Sequence, residues 1–144
     1  MRKIDTQIVI AAPPQRVWAV LTDFPRYPEW NPFIRTIHGK PQAGATLTVQ
    51  MQPPGAKAVT FLADVIKAEP GHELRWLGSL WAPFLFAGEH TFQLTPLTPG
   101  ETQLNHSERF TGILVPVLWP TIGDSTRRGF ELMNQALKRE AEKV

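Results

Sequence analysis

The sequence predicts an α+β fold in which a single antiparallel sheet is covered by a long C-terminal helix. Apolar residues in the last third of the chain recur at helical spacing, whereas the middle of the chain alternates apolar and polar residues. Short turns join the alternating segments, so neighbouring strands must pair antiparallel. A sheet with one apolar face needs a cover, and the terminal helix is the only predicted element long enough to provide it.

The composition indicates one folded domain that spans residues 1–144. The chain is 42% hydrophobic and 19% charged, with a net charge of +2 and no cysteine. Without cysteine, disulfides, thiolate catalysis and cysteine metal sites are excluded. No block of Lys and Arg is longer than two residues, so nucleic-acid binding has little support. No cofactor is indicated, and the sequence does not set the oligomeric state.

The N-terminus does not resemble a secretory signal peptide, because Asp5 closely follows Met1 and Pro13-Pro14 ends the first apolar stretch. The longest uncharged runs, at 76–88 and 110–123, are too short to cross a bilayer, and both contain proline. We therefore expect a cytoplasmic protein without an integral membrane segment.

A strand at residues 3–11 opens the predicted order of elements. Pro14 suits the first turn of a helix, which is predicted at 14–22. Asp23 can cap a second short helix at 24–29, which the surrounding prolines keep short. The side chains on the apolar face of the strand are Ile4, Thr6, Ile8 and Ile10.

Six further strands follow, separated by turns that contain proline or glycine. In the clearest of them, Leu47 and Val49 alternate with Thr46 and Thr48, which is typical of a half-buried strand. The predicted strands are 33–38, 45–52, 57–68, 73–80, 84–94 and 102–110.

The terminal helix, predicted at 117–143, has an apolar stripe that changes in side-chain size along its length. Its first half is small and its second half is large. A helix that closes a cavity at one end and a solid core at the other would show this taper, although an ordinary core helix with one glycine explains it equally well. The stripe consists of Trp119, Ile122, Gly123, Thr126, Phe130, Met133 and Leu137.

A run of apolar, aromatic and proline residues near the N-terminus resembles the opening of the SRPBCC, or START-like, superfamily. Three later blocks look like the uncharacterised, polyketide-cyclase-like branch of that superfamily. The opening run is Ala12-Pro13, Val17-Trp18, Leu21, Asp23-Phe24, Tyr27-Pro28 and Trp30-Asn31-Pro32. The later blocks are Leu74-x-Trp76-x-Gly78, His90-x-Phe92 and Glu108-x-Phe110-x-Gly112.

The resemblance implies a helix-grip fold, which is a seven-stranded antiparallel sheet wrapped around the C-terminal helix with two short helices between strands 1 and 2. It also implies a cavity between sheet and helix that binds an apolar small molecule, such as a lipid or a polyketide-like aromatic. The opening run is architectural, so the resemblance implies no catalytic residues.

The predicted ligand-binding residues lie on the face of the sheet and helix that would surround the cavity. Most are apolar, as is usual for a small-molecule site. Any single one of them could simply be a core residue, but together they suit an apolar pocket. The apolar members are Met51, Phe61, Trp76, Phe92, Phe110 and Phe130, joined by Thr126 from the small half of the helix stripe.

Three polar residues, His90, His106 and Glu108, interrupt this apolar set and are also predicted to bind ligand. A buried carboxylate is costly unless it is paired or hydrogen-bonded. The three residues could form a stabilising polar cluster, anchor a polar atom of a ligand, or act as general acid and base. Two histidines and one glutamate could also bind a metal, but their spacing matches no established signature, so no metal site is predicted.

The turns fix a register that brings these polar residues together. A two-residue loop at Pro70-Gly71 pairs Val65 with Trp76 and Ala63 with Gly78, and the turn at 53–55 pairs Val49 with Phe61.

In the last hairpin, a loop at 97–101 pairs His90 with Glu108, and likewise Phe92 with His106 and Leu94 with Leu104. Cross-strand neighbours have Cβ atoms about 5 Å apart. We therefore expect His90 and Glu108 on the same concave face, within reach of a hydrogen bond directly or through one water.

Two apolar runs at element junctions, 79–84 and 112–119, need an explanation because junctions are normally polar. They could pack on each other, or form a gate or a patch that meets a membrane or partner. We predict that Trp81 and Trp119 lie near each other and flank the cavity mouth. Because a residue before proline is biased away from helical geometry, regular helix is expected to start at Pro120.

Three functions remain open at this point. The first is the binding of an apolar small molecule, and the second is a cyclase or dehydrase that uses His90, His106 or Glu108. The third is a module that regulates a partner protein and whose cavity is vestigial.

Overall fold

Seven strands and three helices make up residues 2–143, the part of the chain that this computed structural model describes. The strands are β1 (Arg2–Ile10), β2 (Ile34–His38), β3 (Thr46–Met51), β4 (Val59–Glu69), β5 (Glu73–Leu80), β6 (Phe86–Thr98) and β7 (Glu101–Thr111). The helices are α1 (Pro14–Thr22), α2 (Tyr27–Trp30) and α3 (Val115–Ala141), with a 3-10 turn at Phe24–Arg26 just before α2.

The seven strands form one antiparallel sheet in the order β1-β7-β6-β5-β4-β3-β2, curled around α3. This confirms the predicted α+β class and the helix-grip arrangement. Alternation along each strand places the apolar side chains on the concave face, where β3 buries Leu47 and Val49 and leaves Thr46 exposed. The interior therefore lies between the concave face of the sheet and α3.

The predicted register is confirmed at every predicted pair, including Val65 with Trp76, Val49 with Phe61 and His90 with Glu108. Two of the predicted loops were wrong. The β4–β5 loop has three residues rather than two, because Glu69 pairs with Glu73, and an irregularity between Val65 and Lys67 restores the predicted register. Gly71 has a φ of +76° in this loop, a conformation that glycine adopts without strain.

The last hairpin is tighter than the predicted loop at 97–101. Thr98 pairs with Glu101, so the loop is only Pro99-Gly100, and an irregularity between Pro96 and Thr98 absorbs the extra residue. A bulge of this kind lets a strand continue past the end of its alternating pattern without changing the register of the rest.

Helix α3 begins at Val115 and contains Pro120, so the expectation that regular helix starts at Pro120 was wrong. Pro116 occupies the first turn, where a missing N–H costs no hydrogen bond. The Trp119 ring packs edge-on against Phe110 with centroids 5.1 Å apart and lies over Gly123, which has no Cβ to obstruct it. Tertiary packing of Trp119 thus outweighs the local bias of the residue before proline.

The change in side-chain size along α3 coincides with a change from cavity to packed core. This agrees with the first of the two explanations given above, a helix that closes a cavity at one end and a solid core at the other. Phe130, Met133 and Leu137 in its second half are fully buried in the core. Thr126 and Ile122 in its first half face a cavity. None of the helices within residues 2–143 is both long and apolar enough to span a membrane.

Candidate functional site

A cavity of about 210 Å³ lies between the concave face of the sheet and the first half of α3. Apolar side chains dominate its lining, and Glu108 is its one carboxylate among the described residues. Of the predicted ligand-binding residues, Met51, Phe61, Glu108, Phe110 and Thr126 line it. The lining residues that the sequence interpretation did not include are Pro53, Ala56, Lys57, Val59, Gly78, Ser79, Leu80, Phe86, Gly88, Thr121, Ile122 and Ser125.

The cavity opens between the β3–β4 loop and α3, where its lining residues Ala56, Lys57 and Thr121 are exposed. The two tryptophans that were predicted to flank the mouth, Trp81 and Trp119, do not line the cavity within the described part of the chain. Trp81 is 72% exposed, while Trp119 packs behind the lining residue Phe110.

The two apolar junctions nevertheless meet at one end of the sheet. The backbone N–H of Ile113 donates to the carbonyl of Phe84 at 3.1 Å, and that of Leu114 donates to Leu85 at 3.0 Å. The junctions therefore close the sheet beside the N-terminus of α3. A position of both tryptophans at the mouth stays a prediction.

The other predicted ligand-binding residues lie behind the cavity in the packed core. They are Trp76, His90, Phe92, His106 and Phe130, and each is at most 1% exposed. Their rings stack closely: His106 and Phe130 are parallel within 7° at a centroid distance of 4.1 Å, and Trp76 lies 4.9 Å from His90. These side chains support the cavity wall but leave no room for a ligand among themselves.

Two glycines that face each other across β5 and β6, Gly78 and Gly88, make space in the wall. A Cβ on Gly78 would lie 2.7 Å from the Phe61 ring, and a Cβ on Gly88 would overlap the Glu108 carboxyl. The Glu108 carboxyl therefore packs directly against the backbone of Gly88. Sequence reasoning did not assign these glycines to the site, although a glycine inside a strand commonly marks a close approach of this kind.

A chain of polar contacts runs from Glu108 away from the cavity into the core. Glu108 Oε1 lies 3.4 Å from His90 Nδ1, and His90 Nε2 lies 2.7 Å from His106 Nε2. On the far side, His106 Nδ1 lies 2.7 Å from Asn134 Oδ1. The chain ends where Asn134 Nδ2 donates to Thr6 Oγ1 at 2.9 Å and Thr6 Oγ1 donates to the carbonyl of His106 at 2.7 Å.

Asn134 and Thr6 were not identified as site residues from the sequence. Thr6 is the one buried polar residue of β1, and Asn134 is only 3% exposed on α3. A polar residue at a buried position needs a hydrogen-bond partner, and this need is the signal that could have identified Thr6.

Burial holds the pKa of His106 well below 6.5, because a buried imidazole resists charging. The neighbouring His90 acts in the same direction, whereas the hydrogen bond to Asn134 opposes it. His106 is therefore neutral, with one N–H and one lone pair.

The predicted contact between His90 and Glu108 is present on the concave face, but it is not a formed hydrogen bond. The two atoms are 3.4 Å apart, and His90 Nδ1 forms no hydrogen bond with any residue in the range 2–143. The side chains are 0% and 9% exposed. This contact joins the solvent-accessible cavity to the closed core.

A larger groove of about 410 Å³ lies at the opposite end of the molecule, between α1 and the two hairpin loops. Its walls include Trp18 and several prolines, and its only titratable side chain among the described residues, His72, is exposed. A buried reactive group is absent from its described lining. The groove is larger than the cavity beneath α3, but only the smaller cavity has a buried carboxyl group, that of Glu108, in its described lining.

The polar groups near the cavity form a line rather than a cluster. Within residues 2–143, no three His, Asp or Glu side chains converge in a way that could hold a metal ion. What the arrangement offers is a carboxyl group in an apolar cavity with a histidine behind it. Such a pair can accept a hydrogen bond from a ligand, or donate or remove a proton.

Residues 1–142 match the family described as polyketide cyclase / dehydrase and lipid transport. None of the curated proteins matches the chain by sequence. Among solved structures, the Zhui aromatase/cyclase from Streptomyces sp. R1128 is similar with a TM-score of 0.80 and 18% identity, over 98% of this chain and 93% of that one.

Two further structures share the fold. A START superfamily protein from Mycobacterium smegmatis has a TM-score of 0.76 and 21% identity, over 97% of each chain. Norcoclaurine synthase from Thalictrum flavum, in complex with dopamine and hydroxybenzaldehyde, has a TM-score of 0.74 and 15% identity. That similarity covers 99% of this chain and 88% of the synthase chain.

Proposed function

The chain belongs to the polyketide cyclase / dehydrase and lipid transport family, and we propose that it binds a small, largely apolar molecule in the cavity beneath α3. The observation that carries this proposal is the composition of the cavity wall. Phe61, Phe86 and Phe110 are the aromatic residues of its described lining, while Glu108 supplies one buried carboxyl. Apolar walls with a few placed polar groups are the usual make-up of a small-molecule site.

The size of the cavity limits the ligand. Its volume of about 210 Å³ is below the range of roughly 300–1,000 Å³ that is common for drug-sized ligands. A dry apolar cavity of about 150 Å³ is enough to bind benzene. A molecule of one or two rings therefore fits this space better than an extended acyl chain or a multi-ring polyketide.

Native mass spectrometry of the protein purified from its own host tests the proposal, because a retained ligand adds a defined mass. A Thr126→Phe variant would fill the cavity from α3 and should remove that added mass. Thr95→Phe is the matched control, since Thr95 is exposed on β6 on the opposite face of the sheet.

If the wild-type protein and Thr95→Phe carry no added mass and bind no apolar aromatic compound that is offered, small-molecule binding is refuted. The cavity would then be vestigial, and the regulation of a partner protein would be the better hypothesis. Circular dichroism spectra identical to the wild type would show that Thr126→Phe still folds.

A second function is favoured by the Glu108–His90 contact, namely general acid–base catalysis of the cyclase or dehydrase type. A carboxyl group that lines the cavity and faces a histidine at 3.4 Å can exchange a proton with a bound molecule. Such a role would make Glu108 the group that contacts the substrate, with His90 behind it.

Binding and catalysis are separated by a Glu108→Gln variant. Gln keeps the size and the acceptor oxygen of Glu but cannot transfer a proton. If the co-purifying ligand is a substrate, the variant should still bind it. Its turnover rate should fall to about one-hundredth of the wild-type rate or lower. Turnover at the wild-type rate would remove Glu108 from catalysis and leave the binding proposal intact.

A further inference from the structure

We propose that Thr6 and Asn134 fix the tautomers of both buried histidines, so that Glu108 and His90 hold one shared proton and the cavity prefers a hydroxyl-bearing ligand to a carboxylate of the same shape. This proposal rests on the proposed ligand binding and names the chemical class of the ligand. It follows from the direction of each hydrogen bond in the chain.

The direction is set at the Thr6 end. The carbonyl oxygen of His106 has no hydrogen, so the Thr6 hydroxyl 2.7 Å away must donate to it. Thr6 Oγ1 is then left to accept, and the group 2.9 Å from it must be the NH₂ of Asn134. The amide of Asn134 cannot be flipped without placing two acceptors against each other, so its oxygen points to His106.

The tautomers of the two rings follow from that oxygen. Asn134 Oδ1 accepts, so His106 Nδ1, at 2.7 Å, carries the hydrogen. His106 is neutral in the buried core, which leaves a lone pair on its Nε2. His90 Nε2 lies 2.7 Å from that lone pair and must therefore carry a hydrogen itself.

His90 Nδ1 is left to face Glu108. Without a further proton, a lone pair on this nitrogen would lie 3.4 Å from a carboxylate oxygen, and the described part of the chain offers His90 Nδ1 no other partner. One proton removes this repulsion, whether it resides on His90 Nδ1 or on Glu108 Oε1. In both states the pair is neutral overall, and the second carboxyl oxygen, Oε2, is an acceptor.

That second oxygen determines what the cavity accepts. Glu108 Oε2 lies against Gly88, which lines the cavity. A ligand hydroxyl or N–H could donate to it, whereas a ligand carboxylate would place an acceptor against an acceptor in an apolar space. The one cationic side chain among the described lining residues is Lys57, which is exposed at the rim and away from the floor.

Asn134 is accordingly a positioning residue. It contacts His106 and Thr6 and acts on the cavity through two histidine rings. An Asn134→Leu variant removes the acceptor and frees His106 to adopt either tautomer. An Asn134→Asp variant keeps an acceptor beside Nδ1, so the hydrogen on that atom should remain, even if the carboxylate adds a second proton to the ring.

The tautomers can be read directly from two-bond ¹H–¹⁵N correlation spectra of the histidine rings at neutral pH. We expect His106 as the neutral Nδ1–H form, and His90 with a hydrogen on Nε2. In Asn134→Leu the His106 pattern should change because Nδ1 loses its acceptor, whereas in Asn134→Asp Nδ1 should remain protonated. A wild-type spectrum with the hydrogen of His106 on Nε2 would overturn the proposal without bearing on whether the cavity binds a ligand.

Ligand preference is tested with naphthalene, 2-naphthol and 2-naphthoate, which share one ring system. We expect 2-naphthol to bind roughly tenfold more tightly than naphthalene and than 2-naphthoate, and its advantage over naphthalene to disappear in Glu108→Leu. Equal binding of 2-naphthol and naphthalene, or tighter binding of 2-naphthoate in both the wild type and Lys57→Gln, would overturn the inference while upholding ligand binding. Failure of all three compounds to bind would count against the proposed function instead.

Discussion

The interior beneath α3 has two halves that differ in how completely they are filled. Under the second half of the helix, Phe130, Met133 and Leu137 pack with no exposure against the sheet. Under the first half, Thr126 and Phe110 face a cavity of about 210 Å³. The same sheet serves both halves, so the difference arises from side-chain size along the helix and from the glycines opposite it.

The polar chain crosses the boundary between these halves. In the filled half, His106 has its hydrogen-bonding groups occupied by His90 and Asn134. In the open half, Glu108 contacts His90 but keeps an oxygen for the cavity. A fully satisfied polar network stabilises a core, whereas a network with one free acceptor in a cavity is suited to binding.

The largest contrast is expected from removing one aromatic ring from each half. Phe130→Ala should lower the free energy of unfolding by about 3–5 kcal/mol, because it opens a void in a close-packed core. Phe61→Ala should cost less than half of that, since Phe61 is only partly buried and already borders open space. Chemical denaturation of both variants measures the difference. Equal losses would mean that the cavity half is packed as tightly as the core in solution.

The second effect is a pH dependence of the free energy of unfolding, which we attribute to His106 in the filled half. Because burial and His90 hold the pKa of His106 well below 6.5, the folded state resists a proton that the unfolded state accepts below about pH 6.5. The stability from neutral His106 is therefore complete above that pH and is lost as the pH falls. The groups that face the ring are His90 on β6 and Asn134 on α3.

A His106→Gln variant should lose this dependence. Relative to it, the wild type should lose up to about 1.4 kcal/mol of unfolding free energy for each pH unit below 6.5, the limit for one proton. His38→Gln is the control, since His38 is exposed at the end of β2 and should leave the pH profile unchanged. Parallel wild-type and His106→Gln profiles would show that His106 is not the group that resists protonation.

A third effect belongs to the open half and changes binding rather than stability. Gly88→Ala places a methyl group where the Glu108 carboxyl now rests, and that flexible carboxyl can move aside. We expect the free energy of unfolding to change by about 1 kcal/mol or less, while the affinity for 2-naphthol falls roughly tenfold. Calorimetric titration measures the affinity.

Gly78→Ala serves as the control for Gly88→Ala, because its methyl group would meet the Phe61 ring at 2.7 Å rather than a polar group. It should weaken naphthalene and 2-naphthol to the same extent. If Gly88→Ala also weakens both compounds equally, the carboxyl position contributes nothing to ligand choice.

The strand register was predictable because the alternation of apolar residues leaves a single arrangement that keeps them on one face. The pairing of His90 with Glu108 followed from it directly. The loop errors did not matter, because bulges in β4 and β6 absorbed the extra residues.

The division between cavity and core was harder to predict. Trp76 and Phe110 both point to the concave face, yet only Phe110 lines the cavity. Which ring borders the cavity depends on the curvature of the sheet and on the side chains of α3. The alternation of apolar and polar residues along one strand predicts neither. The role of Asn134 depends on a partner, Thr6, that lies 128 residues away in the chain.

The smallest expected effect comes from Trp81, which lies outside both halves. Trp81 has a φ of +65° and is 72% exposed, so its bulky side chain occupies a backbone conformation that costs about 1–2 kcal/mol for a residue with a Cβ. Trp81→Gly removes that cost but adds about 0.5–1 kcal/mol of chain entropy to the unfolded state. Trp81→Ala keeps the cost, so the Gly variant should be more stable by roughly 0.5–1 kcal/mol.

Neither Trp81 variant should change the equilibrium affinity for 2-naphthol, because Trp81 does not line the cavity. Association rates of 2-naphthol, measured by stopped-flow fluorescence, test whether Trp81 flanks the cavity mouth. If Trp81 flanks the mouth, as the sequence predicts, both variants should alter the association and dissociation rates in the same proportion. Unchanged rates in both variants would place the entrance entirely between the β3–β4 loop and α3, where Lys57 and Thr121 are exposed.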